Sequence, residues 1–97
     1  MGKVRLTDLD PRWGAENGNR YCLIFACPIE GCPNKYISVP FKMFEGYDPK
    51  KHHIWTKTGD DFDTISLAPS VDATRTKQGE ATGCLFHGFV TNGEVTW

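Results

Sequence analysis

"GCLFHGFVTNGEVTW" runs from Gly83 to Trp97, and two signals in it decide how the fold is read. The first is Asn92-Gly93, flanked by Phe89 and Val90 on one side and Val95 and Trp97 on the other. An Asn-Gly pair between β-forming runs marks a two-residue hairpin, because a type I′ turn needs positive φ at both central positions. The second is Cys84-x-x-His87, which offers a thiolate and an imidazole of the softness that zinc prefers.

Working back from this hairpin, short β-like runs separated by turn signals dominate. "RYCLIFACP" (20–28) is the clearest strand, rich in aromatic and aliphatic residues. "KYISVPF" (35–41) alternates, and Pro40 marks an edge or a strand end. "HIWTKTG" (53–59) and "FDTISLAPS" (62–70) follow, with "GDD" as the turn between them. Helical signals are weak. Asp10-Pro11 and Asp48-Pro49 each make an N-cap and first-turn pair, but Gly14 and Gly18 limit the former to about one turn. "SVDATRTKQGEATG" (70–83) is polar and reads as a long loop. The expectation is one domain over 1–97, mostly β, with about five to seven strands and a C-terminal hairpin.

Hydrophobic residues other than glycine are 39% of the chain, and a domain of this size sits where an added staple often supplements the core. The four cysteines are candidates for it. The N-terminal "MGKVRLTDLD" holds no apolar run of signal-peptide length, position 6 is not the Ser or Thr a myristoylation signal needs, and no stretch approaches membrane-spanning length. A reducing cytoplasm follows as the expectation, and there cysteines favour metal over disulfides.

"CPIEGC" places Pro28 and Gly31 between Cys27 and Cys32, which lets the chain fold tightly enough to bring both thiolates to one tetrahedral ion. With Cys84 and His87 they make a set of four: Cys27, Cys32, Cys84 and His87 around one structural Zn²⁺. Four protein ligands close the tetrahedron and leave no position for a reactive water. Cys22 competes with Cys32 on spacing alone. In an extended strand, however, Cys22 and Cys27 stand roughly 16 Å apart on opposite faces, so Cys22 reads as a small buried hydrophobe. His52-His53 reads as a solvated pair. The residue two after His87 is Phe89, not the glutamate of zinc deaminases, and no H-E-x-x-H occurs.

Other chemistry-bearing stretches carry less. "GDDFD" (59–63) reads as a charged turn, and "GAENGN" lacks the lysine of a phosphate loop. Ser70, in "PSVDATR", has no Ser-His-Asp arrangement that the sequence alone can assemble. "KKHH" with Phe44 and Tyr47 forms a small basic-aromatic patch. A net charge of −1 argues against a general field for phosphate or anionic lipid.

The cysteine knuckle, "LAPS" (67–70) and the ending Cys-x-x-His-Gly-Phe-x-x-Asn-Gly-x-Val together resemble a family of short, uncharacterised phage and prophage proteins. Related bacterial proteins share a Ser-Pro-Ser, Cys, His and terminal Gly-x-Val pattern. The chain departs from it by having "LAPS" where those proteins have Leu-Ser-Pro-Ser. Some members are labelled ammonia monooxygenases, an activity that nothing in these residues supports. The resemblance implies that Cys27, Cys32, Cys84 and His87 are metal ligands and that the protein belongs to a phage or mobile element inside a bacterial host cell.

The functional expectation from sequence is therefore a non-enzymatic, zinc-stapled module that binds a host or phage protein and inhibits a host process or defence system. A nucleic-acid-binding zinc module, with Lys42, Lys50, Lys51, Arg75 and Lys77 on one face, ranks second. A zinc hydrolase ranks third. No catalytic residue is assigned.

Overall fold

The computed structural model describes residues 2–32 and 36–97. Eight strands and one short 3₁₀ turn make up the described elements. Strand β1 (Lys3–Arg5) leads into the 3₁₀ turn Leu6–Leu9. Then come β2 (Arg12–Glu16), β3 (Asn19–Ala26), β4 (Tyr36–Pro40), β5 (Thr56–Thr58), β6 (Ser66–Asp72), β7 (His87–Thr91) and β8 (Glu94–Thr96). All pairings are antiparallel. They form a three-stranded sheet in the order β2-β3-β4 and a five-stranded sheet in the order β1-β8-β7-β6-β5. The mostly β expectation holds, and so does the C-terminal hairpin.

The core lies between the two sheets, where alternate residues of each strand turn inward. Leu23 and Phe25 of β3 and Ile37 and Val39 of β4 meet Leu67 and Val71 of β6, Val90 of β7 and Val95 of β8. Phe25 and Phe86 join the sheets edge to face, with ring centroids 5.9 Å apart. Contacts of this kind contribute about 0.5–1.5 kcal/mol beyond the area they bury.

Asn92 and Gly93 have φ of 47° and 74°, as the primed turn requires. The tip of this hairpin is tied down. Gly93 donates to the Ile65 carbonyl and accepts from the Leu6 amide, each at 2.8 Å. A side chain on Gly93 would run into the backbone of Asp63. The same chemistry recurs at Asn17-Gly18, with φ of 51° and 80°, between β2 and β3. Residues after Asp10-Pro11 are therefore strand, not the expected helical turn. Pairing Trp13 and Gly14 with Leu23 and Cys22 is worth more to the backbone than an isolated turn, because it satisfies a ladder and packs Trp13 on Phe41 and Phe62.

A second departure concerns 70–83. Ser70, Val71 and Asp72 belong to β6, so the loop is shorter than its polarity implies. Val71 is buried while Ser70 and Asp72 turn outward, the alternation of a half-buried strand. Between the rungs Leu67↔Val90 and Val71↔Gly88, Ala68, Pro69 and Ser70 of β6 face only Phe89 of β7. This bulge sits where Pro69 has no amide to give to the ladder. Beside it, β7 runs so close to β8 that a Cβ on Gly88 would overlap the Thr96 carbonyl. No helix is long and apolar enough to cross a membrane among the described residues.

Candidate functional site: a thiol cluster and a serine–histidine pair

The segment 84–90 is extended, and its side chains alternate. Cys84, Phe86, Gly88 and Val90 are buried, whereas Leu85, His87 and Phe89 are exposed. Cys84 and His87 thus leave the chain on opposite faces, as an odd spacing in a strand dictates. They serve two different constellations.

Cys84 joins Cys27 and Cys32 on the inner side. The three sulfurs lie within 4.8 Å of one another, with Cys27 Sγ 3.8 Å and Cys32 Sγ 2.9 Å from Cys84 Sγ. Sulfurs bound tetrahedrally to one zinc at about 2.3 Å stand about 3.8 Å apart, so a small outward movement of Cys32 would seat an ion. The knuckle between Cys27 and Cys32 is closed by the Cys32 amide donating to the Ile29 carbonyl at 3.3 Å, with Gly31 at φ 84°. Burial pushes the Cys27 thiol up to about 12 and raises that of Cys84 as well. A cation would reverse that preference, since it binds the thiolate form. The cluster clamps the end of β3 to the segment that leads into β7. His87, the expected fourth ligand, is not part of it.

On the outer face of the five-stranded sheet, His87 Nε2 is 3.3 Å from Ser70 Oγ. Their strands are neighbours, and His87 pairs directly with Asp72, which puts Ser70 on its diagonal. Three features place the serine. The bulge at 68–70 re-aims its side chain; the buried Val71 fixes which face it takes; and the Trp55 indole N–H donates to the Ser70 carbonyl at 3.2 Å. Trp55 is itself held by a T-shaped contact with His53, at 4.4 Å between centroids. Asp72 accepts from the Thr74 hydroxyl at 2.5 Å and the Thr74 amide at 2.9 Å. The Thr74 hydroxyl chiefly holds its carboxyl below the usual range, and the positive fields of His87 and Arg75 add to this. Asp72 is therefore an anion beside the imidazole, although its hydrogen bonds go to Thr74.

An open cleft of about 590 Å³ adjoins Ser70. Its walls come from β4, the 51–55 segment and the 72–82 segment, and Cys84 lies at its base. His52 closes a local turn by accepting the Asp48 amide at 3.0 Å and packs against Phe44 and Tyr47. Neither it nor His53 approaches the thiols in a metal-ligating cluster among the described residues.

The sequence reading missed Ser70, and the one signal that could have found it is strand alternation. "SVD" at 70–72 places a serine and an aspartate on one face, and the same rule turns His87 outward. The adjacency of β6 and β7 is a matter of topology that no spacing reveals.

Over residues 5–97 the chain matches the model of the BubE family, described as a bacterial ubiquitination-like system serine protease, and it belongs to that family. No curated protein and no solved structure matches it. Family membership overturns three sequence expectations together: the non-enzymatic protein-binding module, the absence of catalytic function, and the viral, host-interaction setting. The reason is physical as well: the histidine assigned to metal faces a serine on the next strand.

Proposed function

We propose that this chain is a serine hydrolase of peptide bonds in which Ser70 is the nucleophile and His87 its general base. The observation that carries the reading is the 3.3 Å approach of Ser70 Oγ to His87 Nε2 in a chain of a serine-protease family. Such a pair is within reach of a hydrogen bond that tightens when substrate excludes water.

His87 takes the Ser70 proton as Oγ attacks the carbonyl carbon. The imidazolium then returns that proton to the leaving amine, and the acyl group stays on Ser70 until water, activated by the same imidazole, releases it. Asp72 stabilises the imidazolium through space, with Thr74 fixing its carboxylate. Trp55 anchors the Ser70 backbone, so the nucleophile is positioned from behind as well as from beside.

The three thiols complete the proposal as the site of one structural Zn²⁺, held by Cys27, Cys32 and Cys84. Bound there, the ion would supply a crosslink between the two sheets, with its fourth position left to a ligand outside these three thiols. Metal binding needs these thiols reduced, which favours a reducing compartment, and we assign the protein to the bacterial cytoplasm.

The test is covalent labelling with a fluorophosphonate followed by peptide mapping. The expected result is one adduct on Ser70, lost in both Ser70→Ala and His87→Ala. Undiminished labelling of the Ser70→Ala protein would overturn the assignment.

A further inference from the structure

The chain as a whole is nearly neutral, with 11 Lys and Arg against 12 Asp and Glu. The cleft beside Ser70 is not. Among its described lining residues, Lys51, Arg75 and Lys77, with His52 and His53, stand against a single carboxylate, Asp72, whose Oδ1 accepts from Thr74. The basic wall is built, not merely splayed into solvent. The Lys77 ammonium donates to the carbonyls of Pro49 and His52, and Gln78 donates to that of Lys50 at 3.0 Å. Arg75 donates to the Gly79 carbonyl at 3.0 Å, which leaves the other donors of its fork available. Two loops distant in sequence are thus laced together, and their cations stand at the mouth of one groove. Its volume falls within the range of ligand-binding clefts.

The direction of the groove follows from the chemistry. In a serine hydrolase the imidazole stands on the leaving-group side, because it must protonate the departing amine. Across the sheet, His87 lies on β7, Ser70 on β6, and Trp55 just before β5. Ser70 lines the groove, and His87 is not among its described lining residues. With Ser70 and Trp55 in its lining and the imidazole outside it, the groove is taken as the acyl side. We propose that it binds the polypeptide immediately N-terminal to the scissile bond and selects acidic residues there. Complementary charge of this sort raises the encounter rate and penalises a basic competitor at the same position.

The proposal rests on the hydrolase reading, so its first test uses protein that cannot turn over. The full-length Ser70→Ala chain is titrated with three fluorescein-labelled peptides of equal length, centred on Asp-Glu, Ser-Gln or Lys-Lys, and read by anisotropy at low and high salt. The expected result is that the acidic peptide binds about tenfold more tightly than the neutral one. That advantage shrinks with salt, and Lys51→Glu combined with Arg75→Glu reverses it in favour of the basic peptide. Binding of the three peptides within twofold of one another overturns the proposal. So does a short oligonucleotide that displaces the acidic peptide and shows a steeper salt slope, since the groove would then be a phosphate site. Active enzyme next hydrolyses peptidyl-aminocoumarins, whose leaving group is constant, with Asp, Ser or Lys in the acyl part. The acidic substrate should gain mainly through KM. Equal KM across that series, beside normal phosphonate labelling of Ser70, rejects the acidic groove and leaves the nucleophile standing.

Discussion

The two faces of the 84–90 segment carry different kinds of chemistry. The inner face contributes a thiol to a cluster wedged between two sheets; the outer face contributes an imidazole to a pair resting wholly on one sheet. A metal bound at the first would hold the domain together, and the second needs the domain already held. Structural demand and reactive demand are thus divided by the pleat of a single strand.

The sharpest way to break this division is to attack the inner face. Cys84→Ser, or a strong zinc chelator, is expected to unfold the domain, because structural zinc contributes on the order of 10 kcal/mol. Circular dichroism with metal analysis checks it. A folded, active, metal-free chain would erase the distinction. Next in size is the outer face alone. Ser70→Ala should cut hydrolysis by about a thousandfold or more while melting temperature and zinc content stay unchanged, and adding His87→Ala should cost little further. Loss of zinc in Ser70→Ala would mean that the faces are coupled.

A smaller effect separates Asp72 from the aspartate of a hydrogen-bonded triad, whose loss costs about ten-thousandfold. Asp72 acts through space at an exposed position, so Asp72→Asn should cost only about fivefold in kcat/KM. Its carboxyl is held below the ordinary value chiefly by the Thr74 hydroxyl. The stability this lends is present at neutral pH and is lost as pH falls through the depressed folded value. Thr74→Val should flatten that acid limb in a melting series, and an unchanged limb would count against the assignment. Smallest is Cys22, the thiol that belongs to neither site. Burial raises it to about 11, so in the folded protein it should resist maleimide at pH 8, whereas denaturant exposes it. Cys22→Ala should cost about 1 kcal/mol by urea titration.

Hairpins and the knuckle were legible in the sequence because their signals are local. Asn92-Gly93 dictates its own backbone, and "CPIEGC" carries its own turn. The hairpin at Asn17-Gly18 announced itself in the same way, and only the competing Asp10-Pro11 signal obscured it. The Ser70–His87 pair was illegible for a different reason. Strand parity, applied to Cys22 and Cys27 to separate them, also separates Cys84 from His87, yet it cannot tell which strand the outward histidine will meet. That depends on β6 lying beside β7, and on a bulge at Pro69 whose register is settled only when Leu67 and Val71 both find the core.

Gly88 has no reactive atom, yet it stands between His87 and Phe89 on a strand pressed against the Thr96 carbonyl. In a saturation screen read by activity, almost every replacement there would be scored as harshly as a replacement of the nucleophile. Such a map would draw the active site one residue too large. Repeating the screen with abundance as the readout would shrink it again, since Gly88 variants should disappear from the cell and Ser70 variants should accumulate.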